Sequence, residues 1–228
     1  MLTCLLASTH QAPPSTTWLF AVSCLDFKSR SFAVIPEEGR TDSSLVSSLG
    51  DPKHTVWLKG HDANTKRIDY EYREMLHRVR PGDVLLVYYT GHGYVRQQKL
   101  FFATWNADIG SQGWSMKRAF DQIRESFHGR NLVFFADCCK TGPLIDLAKG
   151  TRKPVAILGA SEGENDAPMD WTFANTVAKI IGGDSRADDD GDGHIDWNEA
   201  VKFFTSETHR PASHWAPNEF NFRLDVAH

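Results

Sequence analysis

Two glycine-bounded loops hold the side chains best suited to covalent chemistry: Thr90-Gly91-His92-Gly93 and Asp137-Cys138-Cys139-Lys140-Thr141-Gly142. A cysteine attacks a carbonyl as its thiolate, so a thiol that ordinarily titrates at about 8.5 needs an imidazole or another positive feature beside it. His92 supplies the imidazole. The glycines around it let the backbone approach a substrate, and the amides of Gly93 and Cys139 are suited to holding a tetrahedral oxyanion. Together these make the layout of a cysteine hydrolase. The plainer alternative is a core histidine beside two inert thiols, because unmodified cysteine packs as a small hydrophobe.

Both loops follow apolar runs that position them. Val84 to Tyr89 and Leu132 to Ala136 are continuously hydrophobic, as strands covered on both faces are. Trp18 to Cys24, His54 to Lys59, Leu100 to Thr104 and Pro154 to Leu158 read as further strands. Between them, Asn64 to Arg80 repeats apolar residues every four positions at Ile68, Tyr72 and Leu76, and Ser115 to Phe127 places Met116, Phe120 and Ile123 on one face, both helical patterns. Trp171 to Ile181 is a helix closed by Gly182-Gly183, and Ser43 to Leu49 a helix capped by Asp42. Strands alternating with helices predict an α/β domain, a mainly parallel central sheet with helices on both faces. Ligands of such sheets bind beyond the carboxyl ends of the strands, which is where His92 and Cys139 fall. Residues 1–16 read as an unstructured lead-in and 17–228 as a single domain, with Phe220 to Val226 as a late edge strand.

An apolar strand with Gly-His-Gly, then an apolar strand with Asp-x-Cys-x-Thr-Gly, resembles the caspase-like cysteine peptidases, in particular their bacterial caspase-domain and metacaspase branch. The histidine and the second cysteine lie 47 residues apart, against about 50 in caspases. The likeness extends over residues 17–205, through Lys99 to Asp108, Val155 to Ser161 and Trp171-Thr172-Phe173. It implies a caspase-like three-layer sandwich and a His92/Cys139 dyad, with Cys138 as the competing nucleophile. Lys140 and Thr141 depart from it, since His or Tyr and then Ser are usual there. By the same resemblance Asp137 lies at the floor of the pocket for the side chain preceding the scissile bond, and Asp42 is its second acidic position. Ser161 and Glu162 fall in the loop that lines that pocket. A buried carboxylate pairs best with a basic substrate side chain, so cleavage after Arg or Lys is expected. Lys149, Arg152 and Lys153, between the cysteine loop and the next strand, are the expected site of any self-cleavage.

A second motif stands at residues 188–199. Taking Asp188 as position one, carboxylates fall at one, three, five and nine (Asp188, Asp190, Asp192, Asp196), glycine at six, isoleucine at eight and Glu199 at twelve. This is the EF-hand calcium pattern, in which Gly193 makes the sharp turn, the His194 carbonyl faces the ion and Glu199 gives both oxygens. All-oxygen donors favour a hard cation, so calcium is the expected ligand. The preceding helix is nonstandard, because Gly182-Gly183 interrupts it.

Composition narrows the remaining choices. At 228 residues, 41% hydrophobic and 24% charged with net charge −4, the chain is an ordinary globular protein without the basic stripe of a nucleic-acid binder. No run approaches the roughly 20 apolar residues of a membrane span. Four cysteines, two of them adjacent, do not make a disulfide framework, which points to a reducing, cytoplasmic setting. The reading is a calcium-binding cysteine endopeptidase acting on proteins or peptides. Its alternative is a non-catalytic caspase-like module for calcium-dependent protein interaction.

Overall fold

The computed structural model describes residues 15–36, 52–108, 113–163, 165–167, 170–210 and 212–226. The chain runs through β1 (Thr17–Ser23), β2 (Thr55–Lys59), α1 (Thr65–Arg78) and β3 (Val84–Thr90) to a hairpin of β4 (Gly93–Arg96) and β5 (Lys99–Phe102). There follow β6 (Trp114–Ser115), α2 (Met116–Ser126), β7 (Asn131–Asp137), α3 (Pro143–Thr151) and β8 (Val155–Gly159). The last part comprises α4 (Thr172–Ile181), β9 (His194–Asp196), α5 (Trp197–Thr208), β10 (Ser213–Trp215) and β11 (Arg223–Asp225). Six strands form the central sheet in the order β10-β8-β7-β3-β1-β2. All its pairings are parallel except that of β10 with β8.

Side-chain alternation along the strands sorts the core into two layers. Phe20, Val22, Leu85, Val87, Tyr89, Leu132 and Phe134 face α1, α2 and α3. Their neighbours Leu19, Ala21, Leu86, Tyr88, Val133 and Phe135 face α4 and α5. Every residue of β3 is buried, the condition under which a strand reads as a continuous apolar run. The helices start where local chemistry satisfies their first amides. Asn64 accepts from Arg67 N–H at 3.1 Å, and Ser115 from Arg118 N–H at 3.4 Å. Pro143 opens α3, where a missing N–H costs nothing.

Register is what delivers the site. Ser23 of β1 is opposite Thr90 of β3, and Thr90 is opposite Asp137 of β7, so three strands end level. His92 lies two residues beyond Thr90 and Cys139 two beyond Asp137, hence at equal offsets on neighbouring strands about 4.8 Å apart. Among the described residues the sheet carries three helices on one face and two on the other, the α/β sandwich that the sequence predicts.

Several expectations need correction. The segment carrying Lys149 is a helix, α3, with Leu144, Ala148 and Thr151 buried, and Arg152 is its left-handed C-cap, so it is not an open linker for self-cleavage. The edge strand of the main sheet is Ser213–Trp215. The late strand expected within Phe220 to Val226 does form, as β11, but it pairs antiparallel with β9 in a separate sheet of two strands. Ser15 and Thr16, expected in the lead-in, are anchored: Ser15 Oγ donates to the Gly82 carbonyl at 2.9 Å and Thr16 N–H to Asp83 Oδ1 at 3.0 Å. The rest of the lead-in and the helix expected over 43–49, with Asp42, lie outside the described residues. Among the described residues no helix is long and apolar enough to cross a membrane.

Candidate active site and acidic loop

His92 and Cys139 line one small cavity, ≈ 50 Å³, at the carboxyl ends of β3 and β7, together with Thr90, Asp137, Ile35 and Trp171. The imidazole is held from three directions. Phe27 and Phe32 lie against it with ring centroids 5.5 and 5.7 Å away. Its Nε2 is 2.9 Å from the Ala33 carbonyl oxygen. A carbonyl only accepts, so Nε2 carries the hydrogen, and in the neutral ring Nδ1 is then the bare nitrogen able to take a proton. Beneath the histidine, buried Tyr89 donates its hydroxyl to the Ala103 carbonyl at 2.8 Å, with the His92 carbonyl also in reach at 3.1 Å. Phe27, Phe32 and Ala33 come from a loop after β1 that carries no motif. Phe27 and Phe32 were visible only as two aromatics, and a backbone carbonyl leaves no mark in the sequence.

The two cysteines differ sharply. Cys138 is 3% exposed, and burial, followed by the charges of Asp137 and Cys139, pushes its thiol well above the ordinary value. It packs as an inert core residue. Cys139 is half-buried, and its Sγ accepts the Ala167 N–H at 3.3 Å. Burial raises this thiol too, as does nearby Asp166; the Ala167 amide and Lys140 act the other way. Asp166 is itself held below the usual carboxylate range by Lys140, whose ammonium lies 3.0 Å away.

Gly93 is in close contact with this loop. A Cβ at that position would come within 2.1 Å of the Cys139 carbonyl oxygen and 3.1 Å of Cys138 Sγ. The Ala103 N–H to His92 carbonyl bond flanks the Gly93·Phe102 pair of β4 and β5, making it a non-hydrogen-bonded pair, so the Gly93 N–H points away from β5. The ladder therefore does not consume the amide expected to hold an oxyanion. Gly93→Ala should lower kcat/KM by about 100-fold, because the clash is with backbone and must displace the Cys139 loop. Steady-state kinetics beside a melting curve checks this; unchanged kinetics would show that the loop yields without consequence.

Asp137 is among the residues lining the cavity, and its carboxylate accepts the Thr90 hydroxyl at 3.1 Å. Ser161 and Glu162, expected to line the substrate pocket, do not reach this cavity. Ser161 is buried and accepts Thr141 N–H at 2.9 Å, while Thr141 Oγ1 donates to the Ser161 carbonyl at 2.7 Å. The pair fastens the Cys139 loop to the loop after β8. Glu162 is exposed and lines a neighbouring cavity with Leu100, Pro143 and His214. The members of that loop that line the cavity with His92 and Cys139 are Ala167 and Trp171, neither marked by a motif.

In the acidic loop, oxygens of Asp188, Asp190 and Asp192 lie within 4.8 Å of one another. Asp188 accepts the amides of Gly191, Asp192 and Gly193 at 2.8–3.1 Å, which folds the loop around it. Gly193 takes φ +85, the turn that glycine permits. The Val226 N–H to Gly193 carbonyl bond makes His194·Asp225 a non-hydrogen-bonded pair, so the His194 carbonyl is turned away from β11. Asp196 and Glu199 form a capping box at the start of α5, and Glu199 also accepts the amides of Asp189 and Asp190 at 2.8 and 3.2 Å. The donor set and fold of the loop fit a hard cation, and backbone amides already engage carboxylate oxygens of Asp188, Asp190, Asp192, Asp196 and Glu199.

Comparison with known proteins agrees with this architecture. The family model of the caspase domain matches residues 44–214. No curated protein matches the chain. Among solved structures, protein GSU0716 from Geobacter sulfurreducens has a similar fold, with a TM-score of 0.59 at 8% identity, over 93% of this chain and 95% of that one. With a level row of parallel strand ends presenting one histidine and one accessible thiol, and a match across most of its length, the chain belongs to the caspase-domain family of cysteine peptidases.

Proposed function

We propose that this protein is a cysteine endopeptidase in which Cys139 is the nucleophile and His92 the base, cutting after Arg or Lys. The observation carrying this reading is the tethered imidazole: with Nε2 committed to Ala33, Nδ1 is the atom that exchanges protons in the cavity shared with Cys139. Nδ1 takes the thiol proton as Sγ bonds to the scissile carbonyl carbon. The carbonyl oxygen becomes an oxyanion facing the amides of Gly93 and Cys139. Collapse of this intermediate breaks the C–N bond, and His92 returns the proton to the leaving amine. Water, deprotonated by Nδ1, then cleaves the thioester, releasing the new carboxyl end and restoring the thiol.

Specificity rests on Asp137. A carboxylate in the cavity lining, shared with apolar Ile35, stabilises a substrate cation and repels an acidic side chain. Peptide substrates with Arg or Lys before the scissile bond should be hydrolysed faster than those with Asp. Asp137→Asn keeps an acceptor for Thr90 but should lower that activity at least about 30-fold, as removing one partner of a desolvated charge pair does. A wild-type preference for Asp in a fluorogenic panel would overturn the assignment.

In the same reading Asp188, Asp190, Asp192, Asp196, Glu199 and the His194 carbonyl hold one calcium ion. The ion supplies positive charge that neutralises the crowded carboxylates. Glu199, like the aspartates, would give the ion oxygens that now accept backbone amides. A non-catalytic module is the second reading, favoured by the Cys139 thiol being raised and already hydrogen-bonded to Ala167. Covalent labelling at Cys139 by an Arg chloromethyl ketone separates the two, because only the catalytic reading requires it.

A further inference from the structure

Trp171 stands at the cavity in a backbone conformation that bulky residues avoid. It has φ 58 and ψ 3, the left-handed region, at the N-cap of α4, where its side chain makes no capping bond. Glycine or asparagine would fit that conformation without strain, and serine or aspartate would cap the helix. Neighbouring bonds hold the tryptophan in place. The Asp170 carboxylate accepts Thr172 N–H at 3.2 Å and pairs with Arg210 at 2.6 Å, while the Trp171 carbonyl accepts Asn175 N–H at 2.9 Å. The residue packs in part against the core layer of α4 and α5 and in part lines the cavity shared by Asp137 and Cys139. Such backbone strain persists only where the surroundings fix it, and it concentrates at ligand clamps and active sites.

We propose that Trp171 is the aromatic wall of the substrate side-chain pocket and selects arginine over lysine, an inference that rests on the basic specificity assigned to Asp137. A guanidinium is planar and weakly hydrated, so it stacks on an indole while its N–H groups reach a carboxylate; an ammonium is a compact, strongly hydrated point charge. Asp137 supplies the charge for either cation, and Trp171 supplies the face that only the flat one uses fully. Ile35 offers an apolar surface for the methylene stem in the same cavity.

The experiment compares fluorogenic peptides carrying Arg, Lys, citrulline or Asp before the scissile bond, on the full chain and its Trp171→Leu and Trp171→Phe variants. Trp171→Leu should lower kcat/KM for Arg about ten-fold, mainly through KM, and bring the Arg-to-Lys ratio towards one. Citrulline, flat but uncharged, should lose less, and Trp171→Phe should recover most of the Arg preference. An equal fall on Arg, Lys and citrulline, or a phenylalanine no better than leucine, would show that Trp171 only packs. Should the leucine variant melt too low to assay, Trp171→Met takes its place: a methionine variant with the wild-type Arg-to-Lys ratio and KM overturns the proposal, and one with a ratio near one supports it. A wild-type enzyme preferring Asp to both cations sinks the basic-pocket reading and this proposal together; a wild type preferring Arg whose ratio survives Trp171→Leu sinks this proposal alone.

Discussion

Replacing Cys139 with Ala should abolish peptide hydrolysis, lowering kcat/KM by about 10⁴-fold or more, while the melting temperature stays near that of the parent. The same change at Cys138 should do the reverse. Cys138 is buried against Gly93 and its thiol is held far from ionisation, so Cys138→Ala leaves the chemistry in place. It removes a packed sulfur at a cost of about 1 kcal/mol of stability. Alkylation by iodoacetamide should report the same contrast: Cys139 is half-buried and should react, whereas buried Cys138 should react only on unfolding. A Cys138→Ala enzyme without activity and an active Cys139→Ala enzyme would exchange the two roles.

The pH dependence of that alkylation follows from the groups around Cys139. Burial and the Asp166 carboxylate both disfavour the thiolate, so the thiol of the free protein titrates above its ordinary value and alkylation keeps rising into the alkaline range. Neutralising Asp166 with Asn removes negative charge beside the sulfur. The profile should then move to lower pH, with faster labelling below the plateau. Loss of Lys140 removes positive charge and should move it the other way.

The sheet was legible because its central strands are buried on both faces and therefore apolar throughout, as in β3 and β7. His92 and Cys139 were legible because glycine and strand-end position mark them. Two kinds of feature escaped. Contacts made by backbone, such as the Ala33 carbonyl on Nε2 and the Ala167 amide on Sγ, have no residue signature. Residues brought in by distant loops, Trp171 above all, look in the sequence like ordinary core. Ser161 illustrates the converse. Its position after β8 suggested a pocket wall, but Thr141, a hydroxyl with no outlet to solvent, binds it in the interior. α3 was missed because the basic residues at its end outweighed the pattern of Leu144 and Ala148 on its buried side.

Calcium at millimolar concentration should raise the melting temperature by about 5–10 °C, and chelation should reverse it. The size follows from linkage: a ligand at 100 times its Kd adds about 2.7 kcal/mol, and for a chain of this length each kcal/mol is worth about 2–4 °C. The direction follows from the loop. Asp188, Asp190 and Asp192 bring their oxygens within 4.8 Å of one another, so their mutual repulsion opposes folding until a cation neutralises it. What folds with them is substantial. Ile195 and Trp197, just past the carboxylates, and Phe222 and Leu224, on the returning tail, are buried in the core layer of α4 and α5. β11 pairs with β9 across the loop, so the chain supplies its own partner strand where a lone calcium loop would have none. The ten residues of α4, about 15 Å of helix, separate this assembly from Trp171. Hydrolysis at 25 °C should therefore change less than about two-fold on chelation, while the stability change is largely lost in Asp190→Asn and absent with magnesium, which resists the dehydration such a loop demands. A large fall in hydrolysis well below the melting transition would instead make α4 a lever between the ion and the pocket, and a melting temperature indifferent to calcium would remove the ion from the account.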